Sequence, residues 1–405
     1  MNNKPKLSTI NMLYANLQYA EIPQAKIPEV IEKSYRPIFS NLLRRKNTKI
    51  LLGITGWTAE YLNKNHKDIL GLIKKCINSG TVQIMGGTYT NSVLPIVPKS
   101  SQKKQIETHK KIIKRLFKVE PIGFCLSEMA WDPSLSSVLD EFGYSWALIP
   151  YHLMQFSKRA NEKSPYKEKK WRYSGEIGSR ILDKPIFYKL FSLYPLYKSF
   201  KRELYVFNHN PFKIDGVNDK VVGIPNNRSW TAYINLVMAG KGLQTWASLK
   251  ARLSKQSKRG QGLFVPYFAD IENIGFDGGN SPLNIKVERF FKFLDLLEKM
   301  NFKYTWPQEY LKNNKIDQKI YVKAGSGEPS ATLDIWTEDP DNKVLNSLCN
   351  QIRDKISHVK EGAKKEKAWN LLMLAENCDG RGWNPVSEKR IQCFQYAEKA
   401  LKVLE

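Results

Sequence analysis

Two acidic residues close apolar runs in this chain. The stretch IGFCLSEMAWDPSL (122–135) stops being apolar at Glu128, and GLFVPYFADIENIGFDGG (262–279) does the same at Asp270. A carboxyl group at the end of a buried strand is partly stripped of water, and a second carboxyl beside it raises one of the two pKa values. Two carboxyls with separated pKa values can cleave a glycosidic bond, one as nucleophile and one as proton donor. Taken singly, each acid also reads as a helix N-cap or an ordinary loop residue. Other polar and aromatic groups follow apolar runs in the same manner: Gly86-Gly87-Thr88-Tyr89, Tyr151-His152 and Asn208-His209-Asn210. Trp57, Trp131 and Trp230 fall near such ends and offer flat faces to a sugar ring, although a tryptophan lies in a core more often than against a ligand.

The elements that must carry these groups are short β-like runs alternating with amphipathic helical patterns. Strands are expected within 9–17, 49–57, 81–89, 122–128, 145–152, 203–225 and 262–270, and helices within 25–46, 58–79, 99–117, 133–142 and 241–258. Several of the strands are apolar at consecutive positions, the pattern of a parallel sheet covered on both faces. Such a chain builds either an open doubly wound sheet or a closed barrel. In a barrel the strand C-termini open on one face, which would bring Glu128 and Asp270 to a single pocket. The expected catalytic domain spans 1–315, with 155–200 as an insertion poor in strand signals. A helical subdomain over 316–405 follows, where NKVLNSLCNQIRDKI and SEKRIQCFQYAEKALKVL repeat every 3.6 residues.

Bulk composition narrows the function classes. The chain has 405 residues, 42% hydrophobic and 12% aromatic, enough for a sizeable core and outside the range of disordered chains. Its formal charge of +25 admits two readings, an acidic ligand or lysine-rich solvated helix faces. In KKQIETHKKIIKRLFK (103–118) the stripe Ile106, Ile112, Ile113, Leu116, Phe117 leaves the lysines on the opposite face, which favours the second. No basic block carries a nucleic-acid-binding pattern, so nucleic acid is not an expected partner. Five widely spaced cysteines imply neither a disulfide framework nor a CxxC metal site. No run reaches the ~18 apolar residues of a membrane span and the N-terminus lacks a signal-peptide core, so a soluble cytoplasmic protein is expected.

The ordered segments GWTAEYL (56–62), IMGGTYTNSVLPIVP (84–98), CLSEMAWDPSL (125–135), LIPYHLM (148–154) and FADIENIGF (268–276) resemble glycoside hydrolase family 57. The resemblance covers roughly residues 7–312. It implies an α/β fold, a distorted (β/α)7 barrel followed by a C-terminal helical subdomain that closes the cleft. It also implies a retaining, metal-independent enzyme, with no cofactor, that hydrolyses or transfers α-linked glucans. Glu128 stands at the family's nucleophile and Asp270 at its acid/base, with Glu272 two residues on. Trp131, the Gly86-Gly87 pair and His152 match further family positions. By looser analogy AENCDGRGWNP (375–385) places Asp379 and Trp383 at the substrate. Tyr89, Asn16, Trp57 and Trp230 complete the expected sugar-binding set.

The departures from the family pattern are as specific as the matches. Tyr14 and Asn16 stand where the family has a histidine motif, Thr90-Asn91 where it has a glutamate before proline, Cys125 where it has tryptophan and Met129 where it has arginine. A site that loses partners for one sugar is reshaped for another, because unpaired buried polar groups cost about 1–3 kcal/mol. The substrate expected is therefore an oligo- or polysaccharide, and an acidic one is compatible with the charge. Two rivals stay open: a non-catalytic glycan- or nucleic-acid-binding protein, and a polysaccharide deacetylase-like enzyme. The deacetylase needs closely spaced histidines for its metal, whereas the five here lie more than 40 residues apart.

Overall fold

A computed structural model describes residues 7–154, 209–215, 220–258, 262–276, 283–300, 302–327, 331–382, 385 and 387–405. The expected insertion 155–200 and the candidate Trp383 lie outside the described residues, as do residues 203–208 and 216–219 of the expected strand region 203–225.

Among the described residues, seven parallel strand positions surround an apolar interior. The first is β1 (Leu7–Thr9) continued by β2 (Asn11–Ala15). Next come β3 (Ile50–Ile54), β4 (Val82–Ile84), β5 (Gly123–Phe124) and β6 (Trp146–Pro150). After β7 (Phe212–Asp215), which runs antiparallel to its neighbour, the ring continues with that neighbour, β8 (Val222–Asn226). The last position is β9 (Leu263–Phe264) continued by β10 (Phe268–Asp270). Parallel ladders join β2 to β3, β3 to β4, β5 to β6 and β6 to β8, and β9 and β10 return to β1 and β2. A single Gly86–Phe124 bridge links β4 to β5, and Leu263 N donates to His209 O at 2.9 Å beside β8. Pro266, which lacks an N–H, sits at the break between β9 and β10. The strand β11 (Phe302–Tyr304) pairs with β1, and β12 (Lys319–Tyr321), beyond residue 315, still pairs with β7.

Alternation along each strand sorts the side chains into two environments. Met12, Tyr14, Leu51, Met85, Cys125, Trp146, Leu148, Ile224, Leu263 and Val265 form one apolar cluster inside the ring. Their neighbours in sequence, such as Leu13, Leu52, Ile84 and Phe264, pack outward against the surrounding helices. This explains the consecutive apolar residues: both faces are covered. The Lys99–Phe117 helix buries Ile106, Ile112, Ile113, Leu116 and Phe117, while Lys111 and Lys114 pair on its solvent side with Glu107 and Glu120.

The C-terminal helices Pro340–Ser357, Ala363–Ala375 and Ser387–Leu404 pack around Leu345, Cys349, Ile352, Leu372, Cys393 and Ala397. Their junction with the barrel is polar and buried. Glu376 accepts from Arg353 Nη2 and from Ser101 Oγ, both at 2.6 Å, and Thr90 Oγ1 donates to Met373 O at 2.9 Å. Beyond Ala375 a short turn, Cys378–Gly380, reaches the mouth of the barrel, where Cys378 N donates to Asn91 O at 3.0 Å. Among the described residues no helix is long and apolar enough to cross a membrane.

Candidate active site

Glu128 sits on a single helical turn, Ser127–Met129, three residues past the end of β5. Its backbone and that of Met129 are left-handed, with φ of 54° and 50°. An L-residue there costs about 1–2 kcal/mol, so the surroundings must impose the shape. They do so from across the chain. Trp131 and Gly325 exchange two backbone hydrogen bonds of 2.7 and 2.9 Å, and Gly327 N donates to Glu128 O at 3.0 Å. A side chain at Gly327 would meet Glu128 O at 2.9 Å, so glycine is required for this close approach. The carboxylate Oε1 accepts from Asn91 Nδ2 at 3.2 Å and from Cys378 Sγ at 3.5 Å. Tyr14 donates to Asn91 Oδ1 at 2.9 Å, which turns the amide nitrogen toward Glu128.

Asp270 ends β10, level with Tyr14 on β2, and Asn273 Nδ2 lies 3.5 Å from its Oδ2. Burial raises its pKa to about 7, the Asp379 carboxyl adds to the rise and the Arg228 guanidinium opposes it. Two more carboxyls adjoin it. Glu272, 2% exposed, accepts from Asn16 N at 2.8 Å and from the Tyr35 hydroxyl. Its Oε2 has no hydrogen-bond partner among the described residues. Burial, reinforced by Asp270, lifts Glu272 to about 8. Asp379 accepts from Asn16 Nδ2 at 2.7 Å and from Ala20 N at 3.0 Å, and burial raises it to about 6.

Glu128 and Asp270 act on the same two neighbours. Burial holds the Tyr19 hydroxyl and the Cys125 thiol well above their ordinary values, and both carboxyls push each of them further. The ends of β5 and β10 therefore present their acids to one region of the barrel mouth. The Cys378–Gly380 turn covers it from the helical side.

Other expected residues are placed differently. Two tryptophans require correction as sugar platforms: Trp131 and Trp230 are buried in apolar clusters that lie outside the barrel interior. Trp131 belongs to the core outside β5 and β6, and Trp230 packs edge-on against Phe264 with ring centres 5.1 Å apart. Glu272 is likewise inside the wall, where it fixes Asn16 and Tyr35. The Asn16 amide is engaged by Asp379. Gly87 lies against His109, whose ring would be in ordinary contact, at 3.4 Å, with a Cβ there. Tyr89 hydrogen-bonds Glu60, and half-buried Trp57 stacks on Tyr61 at 5.2 Å, both on the Gly56–Asn65 helix. His152 Nε2 lies 2.8 Å from Ser326 O, so that nitrogen carries the hydrogen, and burial lowers its pKa to about 4.

Sequence reasoning did not name Tyr19, Arg228 or Cys378 as site residues. Arg228 opens the Arg228–Ala239 helix and donates from Nη1 to Gly327 O at 2.6 Å, joining the segment behind Glu128 to the electrostatics of Asp270. Cys378 was readable only as a neighbour of Asp379. Among the described residues no group of three or more His, Cys, Asp or Glu side chains is arranged to hold a metal ion.

The family model for glycosyl hydrolase family 57 matches residues 8–199. An alpha-amylase of Pyrococcus abyssi is 30% identical over 155 residues, which are 38% of this chain and 23% of that protein, so the match spans under a quarter of the relative's length. Among solved structures, a 4-alpha-glucanotransferase from Thermococcus litoralis superposes with a TM-score of 0.65 at 15% identity, over 99% of this chain and 60% of that one. A branching enzyme of the same family from Thermococcus kodakaraensis, solved with glucose, gives 0.67 at 14% identity, over 98% of this chain and 88% of that one. Both share the barrel with its helical extension.

Proposed function

We propose that this chain, matched over residues 8–199 by the family model for glycosyl hydrolase family 57, is a retaining glycosidase or transglycosidase of that family acting on α-linked oligo- or polysaccharide. The observation that carries this reading is the shared influence of Glu128 and Asp270 on Tyr19 and Cys125, with Asp270 raised to about 7. A carboxyl of that pKa is protonated in a large share of molecules at neutral pH and can still release its proton, as a general acid must.

Glu128 attacks the anomeric carbon while Asp270 gives its proton to the leaving glycosidic oxygen. The glycosidic bond breaks and an ester to Glu128 forms. Asp270, now a carboxylate, then takes a proton from water or from a sugar hydroxyl, whose oxygen displaces Glu128. Retention requires carboxyl groups roughly 5–5.5 Å apart. The Tyr14–Asn91 hydrogen bond orients the amide that holds Glu128 Oε1, and Asp379 brings the helical subdomain to bear on Asp270.

The test is incubation with a panel of α-linked gluco-oligosaccharides, products resolved by size and anomeric configuration. Shorter products of retained configuration mean hydrolysis and longer ones transfer. Oligosaccharide binding without any product would leave a glycan-binding protein on an enzyme scaffold.

A further inference from the structure

Asn226 is the last residue of β8 and is 1% exposed, yet neither its Nδ2 nor its Oδ1 has a hydrogen-bond partner among the described residues. Ordinary buried amides are paired, and an unpaired one needs a reason. Position supplies it. Ile224, two residues earlier, belongs to the cluster inside the barrel with Tyr14, Cys125 and Met129, and the pleat places Asn226 on that same face one layer nearer the mouth. Asp270 occupies the equivalent last position on β10. Beside Asn226 in register stands Pro150, whose ring offers no polar group to it.

The backbone around Asn226 is firmly held. Pairing with β6 fixes its strand, Asn227 caps the following helix by accepting from Ser229 N at 2.9 Å, and Arg228 is tied to Gly327. An amide fixed in place, with one donating and one accepting atom free, matches two neighbouring hydroxyls of a pyranose ring. We propose that Asn226 is a specificity-determining residue that hydrogen-bonds a vicinal hydroxyl pair of the sugar bound between the strand ends. The proposal rests on the glycosidase reading and goes beyond it by assigning a recognition group inside the barrel.

The experiment compares wild type with Asn226→Leu and Asn226→Asp, using the best oligosaccharide of the panel and its monodeoxy analogues, with thermal unfolding alongside. Leucine keeps the branched shape and removes the unpaired amide, so Tm is expected to hold or rise while kcat/KM falls about 10²-fold. Aspartate keeps the shape but loses the donor, and kcat/KM is expected to fall with it. Removing one of the read hydroxyls should cost wild type about 10²-fold and Asn226→Leu less than about threefold, since the partner is already gone. A buried amide of purely structural use would not produce that loss of discrimination. Wild-type kcat/KM in both variants, or equal discrimination of every deoxy analogue by wild type and Asn226→Leu, overturns the assignment to Asn226 and leaves the glycosidase reading standing. A wild-type protein inert toward the entire panel overturns both.

Discussion

The two acids at the barrel mouth are held by opposite means. Glu128 lies on a turn whose backbone is left-handed at two consecutive residues, and hydrogen bonds from Asn91 and Cys378 meet its carboxylate. Asp270 ends a regular strand, has Asn273 Nδ2 at 3.5 Å and shares its surroundings with Glu272 and Asp379. Donors aimed at a carboxylate favour its charged form, whereas burial beside other carboxyls favours the protonated one. On the proposed mechanism, one barrel would obtain a nucleophile and an acid from the same functional group by surrounding them differently. The backbone strain falls on the residue proposed as nucleophile, where position would matter most.

The largest expected effect breaks the comparison at Glu128. Glu128→Gln should lower turnover of oligosaccharides by about 10³-fold or more with the unfolding temperature little changed, because the amide retains an acceptor for Asn91 and Cys378. Asp270→Asn should cost about 10²-fold on the same substrates. An aryl glycoside with a good leaving group separates the two sites. It needs no protonation, so it should restore bond cleavage by Asp270→Asn and not by Glu128→Gln. Equal rescue of both variants would show that the roles are not divided as proposed.

A finer test shifts the pH profile without removing either acid. Bond cleavage needs protonated Asp270, so the rate should fall as pH rises through about 7. Asp379→Asn removes a negative neighbour and should move that alkaline limb to lower pH. Arg228→Met removes the positive one and should move it to higher pH. Shifts of roughly half a unit in opposite directions are expected, read from kcat/KM against pH. A limb that ignores both substitutions would separate it from Asp270.

The sequence made much of this arrangement legible, for identifiable reasons. Apolar runs such as Trp146–Pro150 are strands because only a sheet covered on both faces accommodates them, and the acids at their ends inherit the barrel geometry. Trp131 and Trp230 were misjudged because distance in sequence from a strand end does not say which way a ring turns. Tyr19 and Cys378 escaped notice for the opposite reason. Each lies in an unremarkable loop and gains its meaning from a carboxyl more than 100 residues away, a juxtaposition that only the folded chain creates.

The smallest expected effect concerns stability and isolates the wall behind Asp270. Glu272 rises from 4.5 to about 8 on folding, so the stability that its protonated form allows is fully present below about 4.5 and lost as pH climbs through about 8. Asp270 and Asp379, raised to about 7 and about 6, act in the same direction at lower pH. Glu272→Gln retains an oxygen to accept from Asn16 N and the Tyr35 hydroxyl and cannot ionise. Its Tm relative to wild type should therefore climb between pH 5 and pH 9, by about 2 °C for each kcal/mol gained in a chain of this size. The Glu128 turn offers the control. Substituting Asn91→Ala there removes a donor to Glu128 and to Asp379, and losing the bond that lowers the Asp379 pKa should leave its Tm relative to wild type flat or falling across that window. If the two variants track one another with pH, the contrast between a hydrogen-bonded acid and a desolvated one is lost, and with it the physical basis for giving them different tasks.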